Sequence, residues 1–130
     1  MPVQAIAKGI RMSHRKVGVV AALVRNHTVA DALVILDNTP RRSAMPVRKV
    51  IESAKANAEY NHNYKPDTLR IVEISVRPGP SSRRYRPAAR TRALPYLKRT
   101  AHIKVLVDGE KREPKKAAAT AVSAVKAEEK

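Results

Sequence analysis

A run of basic side chains between Arg77 and Val107 is the strongest chemical signal in this sequence. The run contains seven arginines and two lysines but no Asp or Glu, so it carries +9 of the chain's net charge of +16. Clustered cations bind polyanions because binding releases the counterions condensed on phosphates, and the planar arginine fork suits bidentate phosphate contacts. The run therefore predicts a phosphate-rich polymer as the partner.

The candidate binding residues within this run are mostly arginines. They are Arg77, Arg83, Arg84, Tyr85, Arg86, Arg90, Arg92, Lys98 and Arg99. Tyr85 and Tyr96 could stack on nucleobases, as aromatic side chains do on unstacked RNA bases, or could pair with each other across a hairpin. The sequence leaves both interpretations open. A solvated basic loop is the plainer alternative, but loops longer than about 15 residues are uncommon in compact domains unless they are functional or disordered.

A second basic cluster lies at the predicted start of the first helix. It consists of Arg11, His14, Arg15 and Lys16. The backbone N–H groups and the dipole of a helix N-terminus favour phosphate, so these residues are candidates for polyanion contact. An ordinary solvated helix end is the alternative, and the basic run elsewhere in the chain favours contact.

No arrangement for catalysis or metal binding is recognisable. The chain has no Cys, and its four histidines show no short ligand spacing. The acids are dispersed, no nucleophile lies in a known pattern with a base, and four glycines form no phosphate-binding loop. We therefore expect no enzyme activity, no metal and no cofactor.

No apolar run approaches the roughly 18 residues of a membrane span, and the N-terminus lacks a signal-peptide core, so we expect a soluble intracellular protein without a membrane partner.

Helical spacing of apolar residues predicts the elements of the first half of the chain. Near the N-terminus, VQAIAK is typical of an edge strand. A helix follows from residue 14 to about 25, with Ser13 as its cap and one apolar face formed by Val17, Val20, Ala21 and Val24. Thr28 and Asp31 form a capping-box-like start for a second helix through residue 36, whose predicted buried stripe is Val29, Ala32, Leu33 and Leu36.

The third helix has two possible starts. It either begins at Pro40, after Thr39 as the cap, and kinks at Pro46, or it starts regularly near Ala44. In both cases the small apolar residues predict that it continues to about Asn61.

The two ends of the basic run alternate like paired strands. In the first of these strands, Val72, Ile74 and Val76 are predicted to face the helices, and the return strand spans about 98–107. The segment Pro78-Gly79-Pro80 is predicted to bend or bulge the strand where it leaves the body, since proline cannot donate to a ladder. The run is thus predicted to be a basic hairpin arm that projects on the order of 30 Å and is marginally stable without a partner.

Length and composition predict one domain with an appended tail. The chain has 130 residues and neither Phe nor Trp, so its core must be aliphatic and small. The domain is predicted to span residues 1–109, with the arm at about 79–103. Residues 110–130 are a low-complexity, Ala- and Lys-rich segment that we expect to be frayed or disordered.

Two stretches resemble the bacterial type of large-subunit ribosomal protein twenty-two. SAKANAEYN (residues 53–61) is similar to the third-helix signature of that family, and GPSSRRYRPAARTRALPYLKRTAHIKV (residues 79–105) is similar to its hairpin signature. The similarity extends from about residue 6 to 107. It implies an α+β fold in which three helices pack on a small antiparallel sheet with a long protruding β-hairpin arm. It also implies a position near the exit-tunnel opening of the large subunit, with the hairpin threading into ribosomal RNA.

The resemblance also assigns roles to residues of the arm. The residues implied to contact RNA are Arg83, Arg84, Arg86, Arg90, Arg92, Lys98 and Arg99. The implied tunnel-facing tip consists of Ala89, Arg90, Thr91 and Arg92. Thr91 stands where the family pattern has glycine, and a β-branched residue resists positive φ, so the tip turn is expected to differ. Ala88 replaces a common arginine, which removes one phosphate contact.

The partners implied by the resemblance are large-subunit ribosomal RNA, neighbouring ribosomal proteins and the nascent peptide in the exit tunnel. The implied location is the cytoplasm, in the ribosome, and no obligate homo-oligomer is expected. Basic β-arms that contain proline also enter the minor groove of DNA, so an architectural DNA-binding protein is the alternative function.

Overall fold

The described part of the chain, residues 2–112 of a computed structural model, contains three α-helices and five strands. In chain order these are β1 (Val3–Ile10), α1 (His14–Leu23), α2 (Val29–Asp37), α3 (Ala44–Ala56), β2 (Arg70–Pro78), β3 (Ser82–Pro87), β4 (Ala93–Lys98) and β5 (Ala101–Asp108). A π-helical turn at Asn57–Asn61 extends α3, and a 3-10 turn lies at Pro66–Thr68. None of the helices in this part of the chain is long and apolar enough to cross a membrane.

The strands form two antiparallel sheets. The larger sheet has the order β1-β5-β2, and the smaller sheet is the β3-β4 hairpin. The central strand β5 alternates buried Ala101, Ile103, Val105 and Val107 with half-buried residues. Helices α1 and α3 contact this sheet and α2 contacts α3, so the predicted α+β architecture is confirmed.

The core between the helices and the sheet is aliphatic, as the composition predicts. Helix α1 buries Val17, Val20 and Ala21, and Val24 just after it is also fully buried. Each of these side chains is small, so the layers approach closely and few large voids can form. The predicted apolar face of the first helix is therefore confirmed.

The predicted orientation of β2 is wrong at one position. Val72 is 54% exposed, whereas Ile71 and Ile74 are both buried. The pairing of β2 with β5 shifts between Ile71 and Glu73, which is the signature of a β-bulge. Because a bulge inserts one extra residue, it reverses the in-and-out alternation and turns Val72 towards solvent.

The helix starts agree with the predicted positions but differ in their capping bonds. Ser13 occupies the predicted N-cap position of α1, but its side chain makes no capping hydrogen bond; its carbonyl accepts from Lys16 N and Val17 N. At α2, the Thr28 Oγ1 accepts from the Asp31 N–H at 3.2 Å and donates to the Asp31 carboxylate at 2.7 Å. The predicted cap by Thr28 is therefore confirmed.

Helix α3 starts at Ala44, which decides between the two predicted starts. Pro46 is the third residue of the helix, where the backbone N–H would have no intrahelical acceptor, so the proline costs no helical hydrogen bond. Thr39 caps nothing at α3, and its hydroxyl instead donates to the Ile35 carbonyl at 2.6 Å. The alternative of an early start with a kink is wrong.

Tyr64 is the one aromatic side chain buried in the core of the described residues, at 2% exposure. Its hydroxyl donates to the Asp108 carboxylate. Burial of the hydroxyl is the larger cause that raises the pKa of Tyr64 above its ordinary value of 10.0, and the negative charge of Asp108 is the second cause.

The backbone on either side of Tyr64 pairs with the end of the domain. Lys65 N donates to Glu110 O at 2.9 Å, and Arg112 N donates to Asn63 O at 2.7 Å. The predicted tail starts at Glu110, so its first three residues are paired here. The prediction for residues 113–130 lies outside the described residues.

The raised pKa of Tyr64 predicts a specific loss of stability at alkaline pH. As pH rises above about 10, the unfolded chain releases the Tyr64 proton before the folded chain does, so unfolding becomes more favourable. We expect the free energy of unfolding, measured by urea titration from pH 8 to 11, to fall more steeply for the natural protein than for Tyr64→Phe. Tyr60→Phe is the control, because Tyr60 is 79% exposed. Equal slopes for the natural protein and Tyr64→Phe would contradict this assignment.

Candidate nucleic-acid interface

Strands β3 and β4 form the predicted basic arm. They pair from Ser82 opposite Lys98 to Pro87 opposite Ala93. Every residue of β3 is exposed, and only Tyr96 of β4 is half-buried. Neither strand contributes a residue to the described hydrophobic core. The arm is therefore a protruding hairpin, although its strands are separated from β2 and β5 by short breaks and are not continuous with them.

Hydrogen bonds join the two sides of the arm at its base, where the strand pairing is interrupted. Gly79 N donates to Thr100 O at 2.9 Å, and the Thr100 hydroxyl donates to Pro80 O at 2.6 Å. A Cβ on Gly79 would clash with that hydroxyl and lie 3.1 Å from the His102 ring. Strand β2 ends at Pro78, and the close approach of the two sides at residue 79 requires glycine.

Alanine at Gly79 is expected to lower the stability of the protein by about 1 kcal/mol, because Thr100 must rotate and lose its hydrogen bond to Pro80. The same substitution at Gly18, in the interior of α1, meets no atom within 4 Å. Gly18→Ala should instead raise stability by about 1 kcal/mol through helix propensity. Urea unfolding of the two variants checks these opposite signs, and two changes of the same sign would contradict the geometry at Gly79.

The two tyrosines of the arm lie on opposite faces of the hairpin. Tyr85 is opposite Pro95 and Tyr96 is opposite Arg84, so the one-residue offset turns their side chains to different sides. Pairing of the tyrosines across the hairpin, one of the two predicted interpretations, is therefore wrong. The Arg86 guanidinium lies 4.7 Å from the centre of the Tyr96 ring, in a cation–π contact. Tyr85 is 66% exposed and its ring is open to a partner.

A wide groove of about 900 Å³ separates the base of the arm from the helical body. It is lined by side chains of three segments that are distant in sequence, namely the start of α1, the α2–α3 loop and the arm base. Its charged lining residues are Arg11, Lys16, Arg41, Arg42, Arg84, Lys98 and Arg99, with no acid among the lining residues. We call this surface the basic groove, and its formal charge is +7.

The cations of the basic groove lack counter-charges. The ion pairs among residues 2–112 involve Arg48, Lys65 and Arg112, and none involves a cation of the groove. Seven like charges around one concavity repel each other, and an entering polyanion relieves this repulsion. The start of α1 adds free backbone N–H groups and the positive end of the helix dipole to the same groove.

Short backbone hydrogen bonds position the side chains of the α2–α3 loop. Arg41 N donates to Thr39 O at 2.8 Å, and Ala44 N donates to Arg41 O at 2.9 Å. Ser43, which directly precedes Ala44, is buried at 4% exposure and anchors the loop on the body. Arg41 and Arg42 are consequently exposed on a tight turn that faces the arm.

The structure brings together only part of the predicted site. The predicted residues that line the basic groove are Arg11, Lys16, Arg84, Lys98 and Arg99. The predicted residues outside it are His14, Arg15, Arg77, Arg83, Tyr85, Arg86, Arg90 and Arg92. Arg41 and Arg42 are additional cations that the sequence analysis missed. The sequence feature that could have predicted them is an arginine pair directly after a turn. That feature alone is weak evidence for binding, because only the folded structure shows that the arm lies opposite this turn.

The tip of the arm has an unusual backbone conformation. Arg90 and Thr91 have φ angles of 56° and 55°, and Ala88 N donates to Arg92 O at 2.8 Å across the turn. Consecutive positive φ angles suit the twist of a tight hairpin turn, so Thr91 adopts the left-handed region despite its branched side chain. Its hydroxyl donates to the Arg90 carbonyl at 2.7 Å. Left-handed geometry costs a residue other than glycine about 1–2 kcal/mol, so the tip is strained.

These features define a class of protein. It is a small α+β body with a protruding basic hairpin and an acid-free groove, and it is suited to hold a polyanion. Among residues 2–112 no group of three or more His, Asp or Glu side chains could hold a metal ion.

Comparison with known proteins identifies the family. Residues 5–108 match the family ribosomal protein L22p/L17e. The chain is 47% identical over 107 residues to large ribosomal subunit protein uL22 of Clostridium tetani, which covers 82% of this chain and 96% of that protein. It is 45% identical over 111 residues to the uL22 protein of Clostridioides difficile, covering 85% of this chain and all of the relative. The corresponding protein of Synechococcus sp. strain JA-3-3Ab is 45% identical over 105 residues, or 81% and 85% of the two chains.

The chain therefore belongs to the ribosomal protein L22p/L17e family. This membership confirms the resemblance predicted from the two signatures. It also confirms the prediction that the protein is not an enzyme, since the family consists of structural ribosomal proteins of the large subunit.

Proposed function

We propose that this protein is a structural constituent of the large ribosomal subunit, in the cytoplasm, that binds large-subunit ribosomal RNA through the basic groove and the arm. The observation that carries the proposal is the basic groove, where seven cations surround one concavity and, within residues 2–112, have no ion-pair partner and no acid beside them in the lining. The names of the matched relatives favour ribosomal RNA over the duplex DNA of the alternative interpretation.

The arm extends this contact because both of its faces are basic. Arg84, Arg86 and Lys98 lie on one face and Arg83 lies on the other, by the alternation of the pairing. A hairpin with cations on both faces and no buried residue is suited to insertion between RNA segments, where phosphates surround it. Its six-residue strands span on the order of 20 Å, shorter than the 30 Å expected of continuous strands.

The arm is expected to gain most of its order from RNA. An isolated two-stranded hairpin is marginally stable in water, and β3 and β4 bury nothing against the body. In the free protein we therefore expect fast amide exchange over residues 83–98, slowing on RNA binding. Protection as strong as that of α1 to α3 in the free protein would contradict this expectation.

The tip is the part of the proposal that concerns the nascent peptide. The end of the arm opposite its base consists of Ala89, Arg90, Thr91 and Arg92. We propose that this end reaches the exit tunnel, as the family resemblance implies, with two arginines towards its wall or its contents. The partners are then ribosomal RNA, neighbouring ribosomal proteins and the nascent peptide.

The experiment uses the absence of cysteine from the chain. Large subunits are purified from cells whose sole copy of the protein is Ser82→Cys, and an iron chelate on that cysteine generates hydroxyl radicals in the basic groove. Strong cleavage of large-subunit RNA is the expected result, with weaker cleavage from the matched Ser53→Cys on α3. Equal cleavage from both positions, or absence of the protein from salt-washed subunits, would overturn the proposal.

The tip is tested separately with Ala89→Cys. A photoactivatable group on this cysteine should crosslink to a radiolabelled nascent chain held in stalled ribosomes. Crosslinks to RNA alone at every chain length would contradict tunnel exposure of the tip but not RNA binding by the groove.

A further inference from the structure

Helix α2 is apolar nearly all the way round. Seven of its nine residues are hydrophobic, although only Val29, Ala32 and Leu36 are buried. A helix on the surface of a globular protein usually carries polar residues on its outer side, and an apolar outer side indicates a covered surface. Val34, on the outer side of α2, is 61% exposed.

An exposed residue of α3 extends this apolar surface. Val34 precedes Asp37 by three residues and Met45 precedes Arg48 by three residues, so each pair shares one helix face. The Arg48 Nη1 lies 2.8 Å from the Asp37 Oδ1 and joins the two faces. Val34 and Met45, at 61% and 58%, are the most exposed non-aromatic hydrophobic side chains of the described body. The exposed Lys49 follows Met45 by four residues and lies on the same side of α3. We call Asp31, Val34, Asp37, Met45, Arg48, Lys49 and Glu52 the α2–α3 face.

The charge of this face is opposite to that of the rest of the body. Asp31, Asp37 and Glu52 are three of the four acids between residues 2 and 62. The face has two cations, the exposed Lys49 and Arg48, and Arg48 is paired with Asp37 and with Glu52, the latter at 2.9 Å. The formal charge of the α2–α3 face is therefore −1, against +7 in the basic groove. Such a surface repels RNA phosphates and attracts a basic polypeptide.

We infer that the α2–α3 face docks a basic segment of a neighbouring large-subunit protein. An apolar side chain of that segment packs on Val34 and Met45, and its Lys or Arg side chains meet Asp31 and the Asp37–Arg48–Glu52 cluster. The inference rests on the proposed function, because the large subunit is where such a neighbour would be found. A second copy of this chain does not fit, since a symmetric contact would place the acids of two identical faces against each other.

A crosslinking experiment tests the occupant of the face. Large subunits are prepared from cells whose sole copy of the protein is Val34→Cys with a benzophenone group, and crosslinked peptides are mapped by mass spectrometry. The expected product joins this position to a Lys- or Arg-rich segment of one large-subunit protein. Val19→Cys, at a 51% exposed valine of α1, is the matched control and should not yield that product. Crosslinks to RNA alone, to a second copy, or to nothing would overturn the inference.

A second variant measures the strength of the contact. In a Met45→Cys probe background, Val34→Lys should lower the yield of the same crosslink about tenfold, which corresponds to about 1.4 kcal/mol. Val19→Lys in that background should leave the yield unchanged. Equal yields for both variants would contradict docking on this face.

These outcomes are independent of the RNA test. RNA cleavage from Ser82→Cys with no protein crosslink at Val34 would overturn the docking inference alone. Loss of RNA cleavage would overturn the proposed function, whatever is found at Val34.

Discussion

Replacement of Arg41 and Arg42 by Glu together is expected to weaken binding to large-subunit ribosomal RNA by about 100-fold at moderate salt. The two substitutions change the formal charge of the basic groove from +7 to +3 and set carboxylates directly against phosphates. Both side chains are exposed and neither takes part in an ion pair among the described residues, so the fold should keep its stability to within about 0.5 kcal/mol.

The measurement compares affinities for an RNA fragment protected by the protein in the subunit, over a series of salt concentrations. The matched control is Lys8→Glu with Lys49→Glu, which makes the same change in net charge at two exposed positions outside the groove. The groove variant should also show a shallower dependence of affinity on salt, because fewer counterions are released on binding. Equal losses for the two double variants would mean that net charge, and not the groove, determines binding.

Ile103→Ala is expected to lower the free energy of unfolding by about 2–5 kcal/mol, the usual cost of truncating a buried isoleucine and leaving a cavity. Ile103 is fully buried on the central strand β5, between Ala7 of β1 and Val76 of β2. Because a domain of this size is stabilised by only about 5–15 kcal/mol, this single change removes a large part of the total.

The matched control is Leu106→Ala on the same strand. Leu106 lies on the opposite face of the sheet and is only half-buried, so its truncation should cost less than about 1.5 kcal/mol. Urea unfolding followed by circular dichroism gives both values. Similar losses for Ile103→Ala and Leu106→Ala would contradict a core that lies on one face of the sheet only.

The fold elements were largely predictable because hydrophobic periodicity is a local property of the chain. The spacing of Val17, Val20, Ala21 and Val24 predicted the first helix with its buried face, and all four are buried. The orientation of β2 was not predictable in the same way. A bulge at Val72 depends on how β2 pairs with β5, and the alternation of residues in one strand does not reveal it.

The docking face on α2 and α3 illustrates the same limit for surfaces. The apolar composition of α2 is visible in the sequence, but it predicted a buried stripe and gave no sign of an exposed one. Only the packing shows that Val34 remains outside the core, and only the Asp37–Arg48 ion pair links it to the side of α3 that carries Met45.

The sequence by itself determined that the chain has a basic, acid-free arm, three helices and a pair of flanking strands, and the two signatures determined its family. Charge, periodicity and motif spacing depend on residues that are close together in the sequence, so they can be found without a structure. The tertiary structure alone decided that Arg11, Arg41 and Arg99 line one groove. These residues are separated by 30 to 88 positions, and their proximity depends on how the helices and the sheet pack together.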